Sequence, residues 1–144
     1  MKSKLIHEQA GEKTYVLIFE SGDEAVEELS QFVTSKGISA ARLSGIGAFR
    51  DVTLGYFNWE TKSYKNIHLG QQVELLSMIG DIALDKGKPK VHSHVVVGLP
   101  DGTTRGGHLL EAHVRPTLEL ILVESPAHLR KEHDPESGLA LIRL

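Results

Sequence analysis

A chain of 144 residues, 40% of them hydrophobic, is long enough to bury a core without disulfides or a metal as obligatory staples. It contains no cysteine, which excludes a disulfide framework, a thiolate nucleophile and a cysteine-ligated zinc finger. With 16 basic and 19 acidic residues the net charge is −3, the wrong sign for a protein whose affinity comes from neutralising phosphates.

Residues 1–7 start basic but carry no apolar stretch long enough for a leader or a membrane span, so a cytoplasmic address is expected. The first element read from pattern is a strand over residues 14–19, rich in β-branched and aromatic side chains and ending at Ser21-Gly22. A helix follows. Ser21 with Glu24 three residues on resembles a capping box, Val26, Leu29 and Val33 share one face with Phe32 adjoining, and Gly37 is a stop signal.

From Ile38 the helical period is lost. Small residues lead through Gly45-Ile46-Gly47 into Val52, Leu54 and Tyr56 alternating on one face, which predicts strands with a glycine-marked bend. The two glycines are not a dinucleotide loop, because the third glycine and the helix after it are missing. Residues 58–62 read as a hairpin turn into a strand over 64–69, residues 73–83 as a further strand, and Asp85-Lys86-Gly87 as the turn into the next. The short basic clusters at residues 86–90 and 130–131 are too small to reverse the acidic balance, and a solvated turn accounts for the first.

That next strand carries His92-Ser93-His94 ahead of Val95-Val96-Val97. Residues i and i+2 of a strand point to the same face, with β-carbons roughly 6.5–7 Å apart at about 3.3 Å rise per residue. Two imidazoles can therefore converge on one ion. The turn at Pro100-Asp101-Gly102 returns the chain toward Gly106-Gly107-His108, where two glycines permit a close backbone approach and offer His108 as a third ligand. Three imidazoles with an open fourth position suit Zn²⁺; Ni²⁺, Co²⁺ and Fe²⁺ are alternatives on the same ligand set.

An apolar run over residues 117–123 reads as a central strand, residues 128–137 as a long polar loop, and residues 138–144 as a last strand. The sum is an α+β fold in one domain, 1–144. It consists of a mainly antiparallel sheet of about seven or eight strands with one long helix packed on it.

The run Leu43-Ser44-Gly45-Ile46-Gly47-Ala48-Phe49-Arg50-Asp51-Val52-Thr53-Leu54-Gly55-Tyr56-Phe57, then Val73-Glu74-Leu75-Leu76-Ser77-Met78-Ile79-Gly80, the histidine pair and Gly106-Gly107-His108-Leu109 resemble, in that order, the PPC domain shared by plants and prokaryotes. The resemblance spans about residues 14–123. It implies an antiparallel sheet with flanking helices, assembly as a homotrimer, and a metal held on histidines, here His92, His94 and His108. In the plant proteins the domain follows a DNA-binding AT-hook, and a Gly-Arg-Phe-Glu-Ile-Leu segment contacts other transcription factors. Here Gln71-Gln72-Val73-Glu74-Leu75-Leu76 stands at that segment with glutamines for Gly and Arg, and the Arg-Gly-Arg-Pro hook that reads the minor groove is absent.

Three functions compete at this stage. One is a homotrimeric metal-binding protein with a regulatory or ligand-binding role toward a small molecule. Another is a metal-dependent enzyme acting on a small molecule, with Glu119, Glu74 or Glu111 as proton relay and Arg105 holding an anionic substrate. The third is a DNA-binding or transcription-associated module, which the net charge and the missing hook disfavour. Tyr56 and Trp59 are candidates for a pocket wall, with sheet packing the plainer explanation.

Overall fold

The computed structural model describes residues 1–144. Nine strands and one helix run in the order β1 (Lys2–Gln9), β2 (Glu12–Glu20), α1 (Ala25–Lys36), β3 (Ala40–Asn58), β4 (Ser63–Leu69), β5 (Val73–Asp85), β6 (Lys88–Gly98), β7 (Thr104–Glu124), β8 (Arg130–His133) and β9 (Ala140–Arg143). The α+β reading holds, with one helix against a single, almost wholly antiparallel sheet ordered β1-β2-β7-β3-β5-β8-β9. Only β5 and β8 pair in parallel. No helix is long and apolar enough to cross a membrane.

Two stretches depart from the sequence reading. Residues 2–9 form β1, exposed at every position and paired on one side only with β2, so no apolar alternation marks it. Residues 128–137 are not a plain loop: Arg130–His133 forms β8, set by pairing with β5 and β9 and not by its own polar side chains. The capping box is also corrected. Glu24 is itself the cap, its carboxylate accepting from the Val26 and Glu27 N–H groups at 3.2 and 2.6 Å. The same carboxylate accepts from Ala112 N–H at 2.9 Å and so ties the helix start to β7. Gly37 closes the helix at φ 66°, a conformation glycine adopts without strain.

β3 and β7 are long because each serves two neighbours. The first half of β3 lies between β5 and β7, its second half between β4 and β7, with register shifts at Gly45/Gly47, where the strand bends. β7 pairs β2 with its second half and β6 with its first. Strands β3, β5, β6 and β7 therefore close a ring, each pairing with two of the others. The core fills the inner face under the helix, where Leu29, Phe32 and Val33 meet the sheet residues Leu17, Phe19, Leu118, Leu120 and Leu122, all buried. Each such side chain contributes about 1.5–3 kcal/mol of burial. Tyr56, expected to share the face of Val52 and Leu54, is 64% exposed: the pairing of β3 with β7 ends at Gly55, and Tyr56 is paired with β4 alone.

Candidate metal centre

The outer face of the ring carries the three histidines. The β6–β7 hairpin places His94 directly opposite His108, and the alternation of β6 sets His92 on the same face two residues back. The rings form a nearly equilateral triangle, with centroids 5.2 Å (His92 to His94), 5.2 Å (His92 to His108) and 5.4 Å (His94 to His108) apart. One nitrogen from each ring lies within 4.8 Å of the other two. A tetrahedral Zn²⁺ with bonds of about 2.0–2.1 Å needs its nitrogens roughly 3.3 Å apart, inside that bound. The ligand set fits.

Glycines make this approach possible. A Cβ at Gly107 would stand 2.8 Å from the Gly55 carbonyl oxygen, and one at Gly106 3.0 Å from that of Val95, so side chains there would lift the His108 segment off both neighbours. Gly55 in turn leaves room for Tyr64, whose ring lies 5.0 Å from that of His108 at 31°.

Burial and neighbouring charge favour the neutral imidazole at His108 and His94. Burial, with the neighbouring His92, His94, Lys131 and Lys90 adding to it, pushes His108 down to about 4. Burial and then His92 push His94 down as well. Neutral rings are what a divalent ion requires of its ligands. His108 Nδ1 is also buried with no hydrogen-bond partner, an unsatisfied position that a further group would complete.

Behind the rings, Asp81 Oδ2 lies 3.3 Å from His92 Nδ1, an outer carboxylate of the kind that orients a ligating imidazole and presents its other nitrogen. The Lys131 ammonium stands 3.4 Å from Asp81 Oδ1, which itself accepts no hydrogen bond. Neither Asp81, Lys131 nor Tyr64 was identified from sequence. Asp81 was within reach of it, because the tight turn at Lys86-Gly87 makes Asp85 the partner of Lys88 and, four residues back along each strand, Asp81 the partner of His92.

The remaining sequence candidates fall elsewhere. Arg105 is exposed and pairs with the buried Val97, out of phase with His94 and His108, and its guanidinium donates to the Thr104 carbonyl at 2.9 Å. Glu119 is exposed on the outer face between Ile18 and Ile46. Glu111 pairs with Thr53 and Glu74 with Ala48 and Gly98. None of these carboxylates lines the space beside the histidines. Trp59 is half exposed under the Lys62 ammonium, 3.4 Å from its ring centre.

A model of the Plants and Prokaryotes Conserved (PCC) domain matches residues 6–126, and the chain belongs to that family. Among solved structures it is similar to a plant- and prokaryote-conserved (PPC) protein of Pyrococcus horikoshii, at 33% identity and TM-score 0.85 over 99% of this chain and 95% of that one. A metal-containing protein of Archaeoglobus fulgidus matches at 34% identity and TM-score 0.84, over 92% and 94% of the two chains. A protein of Bacteroides thetaiotaomicron described as a putative DNA binding protein matches at 26% and 0.87, over 98% and 96%. The curated relative it matches, the bifunctional protein GlmU of a Synechococcus strain, is 28% identical over 88% of this chain, which spans only about a fifth of that protein's length.

Proposed function

We propose that this PCC-family chain is a homotrimeric metal-binding protein that holds one divalent ion, best suited to Zn²⁺, on His92, His94 and His108 and uses the open fourth position to receive a small molecule. The observation that carries the reading is the convergence of three imidazole nitrogens within 4.8 Å on rigid, paired strands. The metal-containing description of the Archaeoglobus relative accords with it. A bound ion would supply Lewis acidity and a water acidified to about pKa 7. The chain's own contribution is to hold the rings of His94 and His108 neutral, to set the Asp81 carboxylate beside His92 and to set Tyr64 beside His108.

Self-association, with the count of three taken from the family resemblance, is supported by the outer face. Val16, Ile121, Ser44, Ile79, His94 and His108 are successive register partners across β2, β7, β3, β5, β6 and β7, so one lateral row leads from an apolar patch straight to the triad. Ile46, Leu76 and Ile79 beside it are each more than half exposed, a patch that a second copy of the chain would cover. A DNA-binding role, suggested by the Bacteroides relative's description, is opposed by the net charge of −3.

Metal analysis of the purified protein beside His92→Ala and His108→Ala tests the site, with sedimentation giving the assembly state. One equivalent per chain in the parent and a deep loss in both variants is expected. Full metal content in both would put the ion elsewhere.

A further inference from the structure

Next to the triad lies a cavity of about 200 Å³, lined by His92 and His108 and by Val91, Leu139 and Leu141. Lys90, Lys131 and Tyr64 line the same space. Lys131 is the unusual member. Its side chain is only 6% exposed, yet its nearest carboxylate oxygen, 3.4 Å away on Asp81, accepts no hydrogen bond. An ammonium has three N–H donors, and this one, at the end of a largely buried side chain, has a single loosely placed counter-ion. A second anion in the cavity would satisfy it.

The lining also defines what that anion carries. The lining combines cationic and metal-ligating residues with aliphatic ones, and at about 200 Å³ the space is smaller than the ~300–1,000 Å³ of sites for drug-sized ligands, which suits a small occupant. We infer that this cavity binds a small aliphatic carboxylate, its charged end between Lys131, Lys90 and the open position of the ion, its short apolar tail against Leu139 and Leu141. β8 and β9, the strands least legible in the sequence, would thus exist to close the site: one delivers Lys131, the other begins beside Leu139 and carries Leu141. The inference rests on the metal reading for one of its three anion contacts, and the experiment separates the two.

Zinc content is measured first, and isobutyrate is then titrated calorimetrically into zinc-loaded protein, with inorganic phosphate as the competing anion. Saturable isobutyrate binding is expected, weakened at least tenfold by Lys131→Met and by Leu141→Asp with zinc content unchanged. Lys90→Glu, at an exposed position, is expected to weaken it as well and serves if the buried substitution prevents folding. Absence of isobutyrate binding to zinc-loaded protein overturns the inference. So does phosphate binding that is tighter and indifferent to Leu141→Asp. If no zinc is bound, the metal reading falls by itself, and the same titration on metal-free protein decides: binding that needs Lys131 sustains the carboxylate site, and none ends it.

Discussion

Asp81 and His92 are register partners on adjacent strands, and the carboxylate Oδ2 rests 3.3 Å from the ring Nδ1 on the face that carries the triad. The ionised carboxylate can only accept, so it favours the tautomer with the proton on Nδ1 and leaves Nε2 of His92 as the lone-pair donor. Asp81→Asn keeps the shape while removing the charge and allowing the amide to present either face to the ring. A 10- to 100-fold loss of metal affinity is expected, the usual range for an outer partner of a ligating histidine, with all three ligands still present. Competition with a chromophoric chelator measures it; unchanged affinity would mean that His92 is held by packing alone.

How much of this arrangement was legible depends on the range of the information. His92 and His94 share a face by the period of two, and His108 arrives opposite His94 by counting four residues back on each strand from the Gly98–Thr104 pair that closes the turn. These are local facts, and the α+β class likewise follows from local periodicity. Lys131 belongs to another kind. It reaches the site because β8 lies parallel to β5, a pairing that involves only Leu84–Arg130 and Asp85–Lys131 and leaves no alternation in a segment that reads Arg-Lys-Glu-His. β1 escaped for the same reason, since a strand exposed on both faces has no period to detect. Glu119 follows the period of two: β7 is two-faced, and the charge within its apolar run lies on the outer side between isoleucines, as alternation requires.

Gly80 sets the spacing between β5 and β6 at the histidine pair. A Cβ there would overlap the His92 carbonyl oxygen and stand 3.0 Å from both Cα and Cβ of Ser93, atoms of a buried strand that have nowhere to move. Gly80→Ala should therefore destabilise the fold by about 1–3 kcal/mol, the usual range for overpacking. It should also shift His92 relative to Asp81 and weaken metal binding. Urea unfolding of the metal-free protein gives the first effect and chelator competition the second. A variant as stable as the parent would show that the two strands part at no cost.

The carboxylate of Asp51 supplies a pH-dependent term away from the histidine triad. Burial would raise its pKa, but hydrogen bonds from Arg50 and His113, followed by their charges, outweigh it and hold the group below the usual aspartate range. His113 Nδ1 approaches to 2.7 Å and must be the donor, because an ionised carboxylate has no proton to give. Arg50 Nε donates to the other oxygen at 2.7 Å. A pKa depressed in the folded state means that the unfolded chain binds the proton more readily. The stabilisation is therefore complete above the ordinary aspartate value of about 3.9 and is lost as the pH falls through the lower folded value. Asp51→Asn should cost on the order of 1–2 kcal/mol at pH 7, the scale of hydrogen bonds to a charged partner, moderated by the partial exposure of the pair. Urea midpoints for parent and variant, compared from pH 7 to about pH 2.5, should begin to draw together below about pH 4. A gap that persists undiminished to the acid end would mean that the asparagine is penalised for its shape and that the charge of Asp51 contributes nothing.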